Sequence, residues 1–364
     1  MKFPLQERLG LLGDWFERRN RRPLVGFSLG SYYPLRRYAN GVRRIPSGAV
    51  SPDDVVVEDY LDDSDLLYEL HEEAGGDMIW SAAPFMGIPW VEAALGCGVL
   101  ADYQAGSTRS VPPAGFALHR VVPEFSDTNP WVAKMLEFVP ALAERSAGRY
   151  GVGVTLMRGI SDLLSALYGA QEFVYRMHDS PEEVHEVVEK LTGFWIAFGR
   201  CLLDRLPLFH GGTGSYLYAL WCPGKTIWYQ EDAVALLSPA LYERFVYPAD
   251  LKIAAAFEHT AVHLHPTRFI PAQHLVRSDT SVIELHIDHD GPRAEQLLPH
   301  YLAVLASKPL LVWGDVTAAD LDFLLTRLPH AGLAVNVLVS SAEEAHDIYE
   351  RARKLMSARA TPSR

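Results

Sequence analysis

Two stretches of the chain alternate apolar with ionisable side chains. Val262-His263-Leu264-His265 is stopped by Pro266, and Ile283-Glu284-Leu285-His286-Ile287-Asp288 repeats the pattern. Successive side chains of an extended strand point to opposite faces, so His263 and His265 share one face, as do Glu284, His286 and Asp288. Neighbouring strands with these patterns would bring several ligand-type side chains into one cavity.

The remaining pattern predicts what surrounds that cavity. Residues 5–19 place apolar side chains at helical spacing with charges between them, which predicts an amphipathic helix on the outside of the main body. Short apolar runs at residues 23–29, 78–81, 150–156, 215–220, 309–313 and 332–339, and around Val262 and Leu285, read as strands. Helical segments fall between most of them, at residues 53–73, from 160 past 175, and at 180–206, 239–258, 293–307 and 317–328. Ser180 before Pro181-Glu182-Glu183 marks one helix start, because the proline suits a first turn and the acids suit the positive helix end. Residues 84–140 keep no period and read as an excursion between strands. Eight strands alternating with helices predict an α/β fold, a (β/α)8 TIM barrel. It is expected to form a single domain over residues 1–364, with an N-terminal helical extension at residues 1–22.

Composition narrows the function class. The chain has 364 residues, 49% of them hydrophobic, so a large core is available. Its net charge of -12 and pI near 5.6 argue against nucleic acid or an anionic membrane as partner and favour a small-molecule substrate. Cys97, Cys201 and Cys222 are far apart and have no CxxC spacing, which predicts neither disulfides nor a thiolate zinc knuckle and fits a reducing cytoplasm. No apolar run of about 18 residues is present, so neither a signal peptide nor a membrane span is expected.

In barrels of this class the chemistry sits where the strands end. Tyr32, Tyr33, Trp80, Arg158, Tyr218, Trp221, His263, His265, His286, Asp288, Asp315 and Asn336 are then the candidates. The aromatic share suits a largely apolar ligand with one reactive polar atom. His263 and His265 can ligate zinc, which needs about three protein ligands in a catalytic site. Glu231, His286 and Asp288 are candidates for the third, and Glu231 completes the expected metal set; the alternative is a metal-free mouth in which the histidines bond neighbouring carboxylates. His286, Asp288 and Asp315 are the expected catalytic groups, with Asp315 also able to help cap the next helix. Arg36, Arg37 or Arg158 could hold a carboxylate through a guanidinium fork. Cys222 reads as a half-buried thiol, and no P-loop or GxGxxG motif supports nucleotide binding.

The order of segments resembles the uroporphyrinogen decarboxylase superfamily over most of the chain. It is carried by Val152-Gly153-Val154-Thr155 through Leu167 and Tyr168, by Tyr175-Arg176-Met177-His178-Asp179-Ser180-Pro181-Glu182, and by Leu237-Ser238-Pro239 to Pro248. His263, His286, Gly314-Asp315 and Ser340-Ser341-Ala342-Glu343-Glu344 follow in order. The superfamily joins porphyrinogen decarboxylases to zinc-dependent methyltransferases that serve corrinoid proteins and coenzyme M. Ser81-Ala82-Ala83 stands where the decarboxylases carry an aspartate. His265 stands where the methyltransferases carry a cysteine, and residues 336–341 lack their second one. The resemblance therefore implies a divergent methyltransferase-like enzyme, moving a one-carbon group between a small substrate and a thiol carrier or a corrinoid held by a partner protein. The alternatives it leaves are a non-redox decarboxylase of a polycarboxylated substrate such as a porphyrinogen, and a non-catalytic tetrapyrrole- or corrinoid-binding protein.

Overall fold

The computed structural model describes residues 3–30, 33–113 and 122–360. Its parallel strands are β1 (Leu24–Leu29), β2 (Ser81–Ala82), β3 (Gly151–Val152), β4 (Thr226–Gln230), β5 (His259–Leu264), β6 (Val282–Ile287), β7 (Leu310–Gly314) and β8 (Leu333–Val339). Six of them form one sheet in the order β1-β8-β7-β6-β5-β4, and β2 pairs with β3. Asp77 N donates to Val25 O at 2.8 Å ahead of β2, and a parallel bridge joins Arg158, beyond β3, to Gln230 of β4. β5, β6 and β7 are buried on both faces, as strands covered by helices must be. Helices Leu61–Ala74, Pro181–Leu203, Tyr247–Ala256, Leu298–Leu305, Ala318–Arg327 and Ala342–Ala360 alternate with the strands, which makes the fold α/β and TIM-barrel-like.

The strand expected at residues 215–220 is not one. That segment is the tip of an antiparallel hairpin formed by Gly212–Ser215 and Leu220–Pro223, and Thr226–Gln230 takes its place in the sheet. Ala219, with φ of 46°, ends the turn of the chain at the tip. Groups from around the sheet converge on the tip. Val154 N donates to Gly214 O at 3.2 Å, Ile79 N to Ala219 O at 3.1 Å, and Asn336 Nδ2 to Tyr218 O at 2.6 Å. The Tyr218 ring lies 4.7 Å from Trp228, 5.3 Å from Trp313 and 5.7 Å from His263. Side chains of β4, β5 and β7 thus surround one tyrosine, and the hairpin fills the space between strands.

Two glycines permit that entry. A Cβ on Gly153 would stand 2.1 Å from Gly214 O, and one on Gly214 would stand 1.8 Å from Ser81 Oγ. Helix Leu5–Phe16 covers the outer arm of the hairpin and donates from Trp15 Nε1 to Leu310 O, at the start of β7. The N-terminal extension therefore packs over the end where the strands begin. The excursion before β3 contributes the opposite end, where its Gly98–Asp102 and Ser107–Val111 form an antiparallel sheet with Gly48–Val50 from between β1 and β2.

A charged buttress joins the first strands to the last helix. Arg22 makes a two-pronged bond to buried Asp77 at 2.6 and 2.8 Å, and Asp77 also accepts from Val25 N and Tyr349 Oη. Nearby, His71 is buried on the helix Leu61–Ala74 with Nε2 3.3 Å from Met78 O. Burial, reinforced by the Arg8 charge, pushes its pKa from 6.5 to about 4 despite Glu72.

Substituting Gly153→Ala should lower stability by about 1–3 kcal/mol, since the methyl meets backbone rather than a flexible side chain. Urea denaturation reads this, and an unchanged midpoint would place the hairpin elsewhere. His71 predicts acid sensitivity: the unfolded chain takes up its proton near pH 6.5 and the folded chain only near 4. Its contribution is intact above pH 6.5 and declines as pH falls toward 4, by about 2 kcal/mol between pH 7 and 4.5. His71→Gln should flatten that portion of the stability curve relative to wild type.

Candidate functional site

The parallel register of β5 and β6 sets His263, one residue before the end of β5, beside Glu284. His263 Nδ1 makes a short hydrogen bond with Glu284 Oε2. Beyond the strands the pairing repeats: His265 Nδ1 lies 2.8 and 3.0 Å from the two oxygens of Asp288. A carboxylate thus occupies Nδ1 of both imidazoles and leaves Nε2 of each to the cavity. Both Nε2 atoms face one oxygen, Asp232 Oδ1, at 3.7 Å from His263 and 3.9 Å from His265. Asp232 lies two residues beyond Gln230 of β4, whose Nε2 donates to Asp232 Oδ2 at 2.5 Å. Its Oδ1 is shielded from solvent and has no hydrogen-bond partner among the described residues.

His286 completes the cluster from β6. Its Nε2 is 3.6 Å from Asp288 Oδ1, its ring lies 4.7 Å from Trp313, and its Nδ1 is 3.9 Å from Glu284 Oε1. That Nδ1 and that Oε1 are both buried without hydrogen-bond partners among the described residues. Three overlapping groups have ligand atoms close enough to share an ion: Asp232 with His263 and His265, His263 with Glu284 and His286, and His265 with His286 and Asp288.

Burial and neighbouring charge divide the protonation states. Burial pushes His263 down to about 4 and Glu284 well above the carboxylate range, so that pair carries no net charge. Burial would also lower His265, but the Asp288 hydrogen bond and the Asp232 and Asp288 charges outweigh it and raise His265 to about 9. Asp288 is lowered in return, its desolvation being outweighed by His265. His286 is driven far down by burial and by the two neighbouring histidines, so it stays neutral.

These groups line a cavity of about 240 Å³. Met86, Ile88, Pro89, Leu156 and Leu217 supply its apolar wall, and Ser107, Thr108 and Tyr33 its rim. Arg158 reaches it from beyond β3 with its guanidinium bonded to buried Glu92 at 2.9 Å.

The structure brings together His263, His265, His286, Asp288, Tyr33 and Arg158 of the residues singled out from sequence. It separates the others. Glu231 turns away from the histidines and accepts from Ile160 N, Ser161 N and Ser161 Oγ at the start of helix Ile160–Tyr168. Asp232 occupies the place expected for it. Asp315 lies outside the cavity wall with Oδ2 3.9 Å from His289 Nδ1, and Thr317 rather than Asp315 caps the following helix. Tyr218 and Asn336 lie beneath the site, bonded to each other. Trp221 is in the hairpin arm and donates to Phe209 O, while Trp80 packs against Tyr68, Tyr150 and Tyr216. Arg36 donates to Gln104 O and lies over the ring of Tyr33, without itself lining the cavity, and Arg37 stacks over Tyr216. Tyr32 lies outside the described residues. Cys222 is buried in the hairpin, where burial pushes its thiol upward.

Asp232, Glu92 and Gln230 were not anticipated. The parity of β4 carries the signal for two of them: Trp228, Gln230 and Asp232 alternate with Ile227, Tyr229 and Glu231, so once residues 226–230 form the strand, Asp232 shares the inward face.

No protein-family model and no curated protein matches the sequence. Among solved structures, a methyltransferase from Methanosarcina mazei superposes with a TM-score of 0.65, covering 97% of this chain and 99% of that one at 13% sequence identity. The likeness shows the fold. It spans nearly the whole of both chains. No described helix is long and apolar enough to cross a membrane.

Replacing Glu231 by Ala should cost about 1–3 kcal/mol in stability, because two helix amides and a serine hydroxyl lose their acceptor. Thermal or urea unfolding measures it, and an unaffected protein would mean that water serves those donors equally well.

Proposed function

We propose that the chain is a metal-dependent, methyltransferase-like enzyme of the uroporphyrinogen decarboxylase superfamily, built as a closed (β/α)8 barrel in one domain. Asp232, His263 and His265 would hold a divalent ion, zinc first among them. The observation that carries the reading is Asp232 Oδ1, shielded and unpartnered, aimed at two imidazole nitrogens whose opposite nitrogens are each fixed by a carboxylate. Metal-binding histidines are oriented in this way, with an outer carboxylate selecting the tautomer; for both to ligate, the proton held by Glu284 and the one on His265 Nε2 would leave as the ion binds. Two histidines and one carboxylate form a donor set that serves catalytic zinc and also ferrous iron. When bound, such an ion supplies Lewis acidity and turns a thiol or water into a nucleophile at neutral pH.

The protein's own groups then have separable tasks. Asp288 and Glu284 hold the two histidines in orientation. His286, held neutral, can offer its unengaged Nδ1 as a hydrogen-bond partner beside the reacting group. The apolar wall excludes water from the transfer. A cavity of about 240 Å³ admits a small molecule but not a tetrapyrrole, so a corrinoid carrier would stay on its own protein and present its one-carbon group at the rim. The decarboxylase alternative asked Arg36, Arg37 or Arg158 to hold carboxylates; two of them lie off the cavity and the third is bonded to Glu92.

Protein purified without chelator should contain about one zinc per chain, as the donor set of a catalytic site requires. Asp232→Ala and His263→Ala should lose it, and Glu231→Ala should keep it. Elemental analysis that reads iron as well as zinc decides the identity, and less than roughly a tenth of an equivalent of either would sink the metal reading.

A further inference from the structure

The ligand cavity has a back wall that its strands do not supply alone. Met86, Leu156 and Leu217 line the cavity of about 240 Å³ and also line a second, smaller pocket of about 10 Å³. Side chains common to both spaces are the partition between them. The smaller pocket reaches beneath the site to Val154, Ser215, Tyr218 and Trp228, so it lies alongside the hairpin tip, and it has room for about one water. Among the described residues, no histidine and no carboxylate lines it.

The partition residues differ in freedom. Met86 is unbranched and can change shape at little cost. Leu217 cannot retreat with its backbone, because the tip that carries it is held by Val154 N on Gly214 O, by Ile79 N on Ala219 O and by Asn336 Nδ2 on Tyr218 O. Leu156 is anchored on both sides as well: Thr155 Oγ1 donates to Pro84 O at 3.0 Å, and Met157 O accepts from Gln230 N at 3.0 Å. We propose that Leu156 and Leu217 fix the length of ligand this site accepts, and that it takes a short molecule with an apolar end set against them. The proposal rests on this cavity being the ligand site and needs no metal. A chain longer by a few carbons would have to push two branched side chains, on anchored backbone, into a space with room for about one water. With either leucine cut back to alanine the two spaces join, and a longer apolar chain gains by filling them.

Primary alcohols from 1-propanol to 1-octanol measure that length, since they share one polar end and differ only in apolar reach. Ligand-observed NMR titration gives their dissociation constants. In wild type each added methylene should tighten binding by up to about fourfold until the chain meets the partition, and there the gain stops. Leu217→Ala should carry the gain through about two further methylenes, so that 1-octanol improves on 1-propanol by at least about tenfold more than in wild type. Leu156→Ala should do the same from the other element, and it serves where Leu217→Ala does not fold. Ile88→Ala takes volume from the wall of the larger cavity alone, so it should alter the affinities across the series and leave the cut-off in place. A wild-type gain that runs unbroken to 1-octanol overturns the proposal. So does a cut-off that neither leucine variant moves, one that Ile88→Ala moves as far, or the failure of every alcohol to bind. The titrations are repeated after chelation: a cut-off lost with the metal also overturns the proposal, whereas the same cut-off in protein that never held an ion refutes the metal reading and leaves this one intact.

Discussion

The site depends on one cross-strand register. β5 and β6 run parallel with His263 opposite Glu284, so a buried imidazole and a buried carboxyl meet side by side instead of facing apolar neighbours. A shift of one residue would put Val262 or Leu264 on that face and turn both histidines outward, because strand side chains alternate strictly. The apolar alternates are therefore as necessary to the site as the polar residues. Val262, Leu264, Ile283, Leu285 and Ile287 are all buried on the helix-covered face, and moving them would forfeit that burial. The same alternation, carried one residue past each strand, sets His265 beside Asp288.

The hairpin determines how deep the site lies. A barrel-like arrangement of this kind is ordinarily filled by layers of side chains from its own strands. In this chain Tyr218 occupies the middle, with its carbonyl held by Asn336 and its ring enclosed by Trp228, Trp313 and His263. That floor blocks the space beneath the histidines and confines ligand to the side where the strands end. Close backbone approach at Gly153 and Gly214 is the condition for the floor, so glycines far from the chemistry control the shape of the cavity.

This division explains what could be read from the sequence. Long apolar runs and helix periodicity located seven of the parallel strands and most of the helices, because burial on both faces leaves a local mark in composition. The eighth was misplaced because Ser215-Tyr216-Leu217-Tyr218-Ala219-Leu220 is as aromatic and apolar as a strand; it is buried for a different reason, as a plug inside the sheet. That single error propagated. With β4 set about ten residues early, Glu231 and Asp232 fell in a loop of undefined facing, and Glu231 was preferred although it turns to the helix Ile160–Tyr168. His263, His265, His286 and Asp288 were legible because their own strands carry the alternation. Glu92 was not, since its role depends on a contact with Arg158 66 residues away.

The carboxylates around β4 show why the cluster is better understood as function than as stability. Asp162 accepts from the amides of Asp232 and Ala233, and so fixes the backbone of the proposed ligand from behind. Asp162, Glu231 and Glu284 are all raised well above the ordinary carboxylate range, first by burial and then by one another or by Asp232 and Asp288. Asp250, bonded by Tyr229 and Tyr242, is raised to about 7. Burying this many acids gains nothing for a fold whose apolar core is already continuous, because desolvation offsets much of what their hydrogen bonds return. Their local cations are Arg158 and protonated His265. A divalent ion between Asp232 and the two histidines would displace the His265 Nε2 proton and draw the neighbouring acids toward their charged forms. It would bind where Asp232 Oδ1 otherwise stays unpartnered.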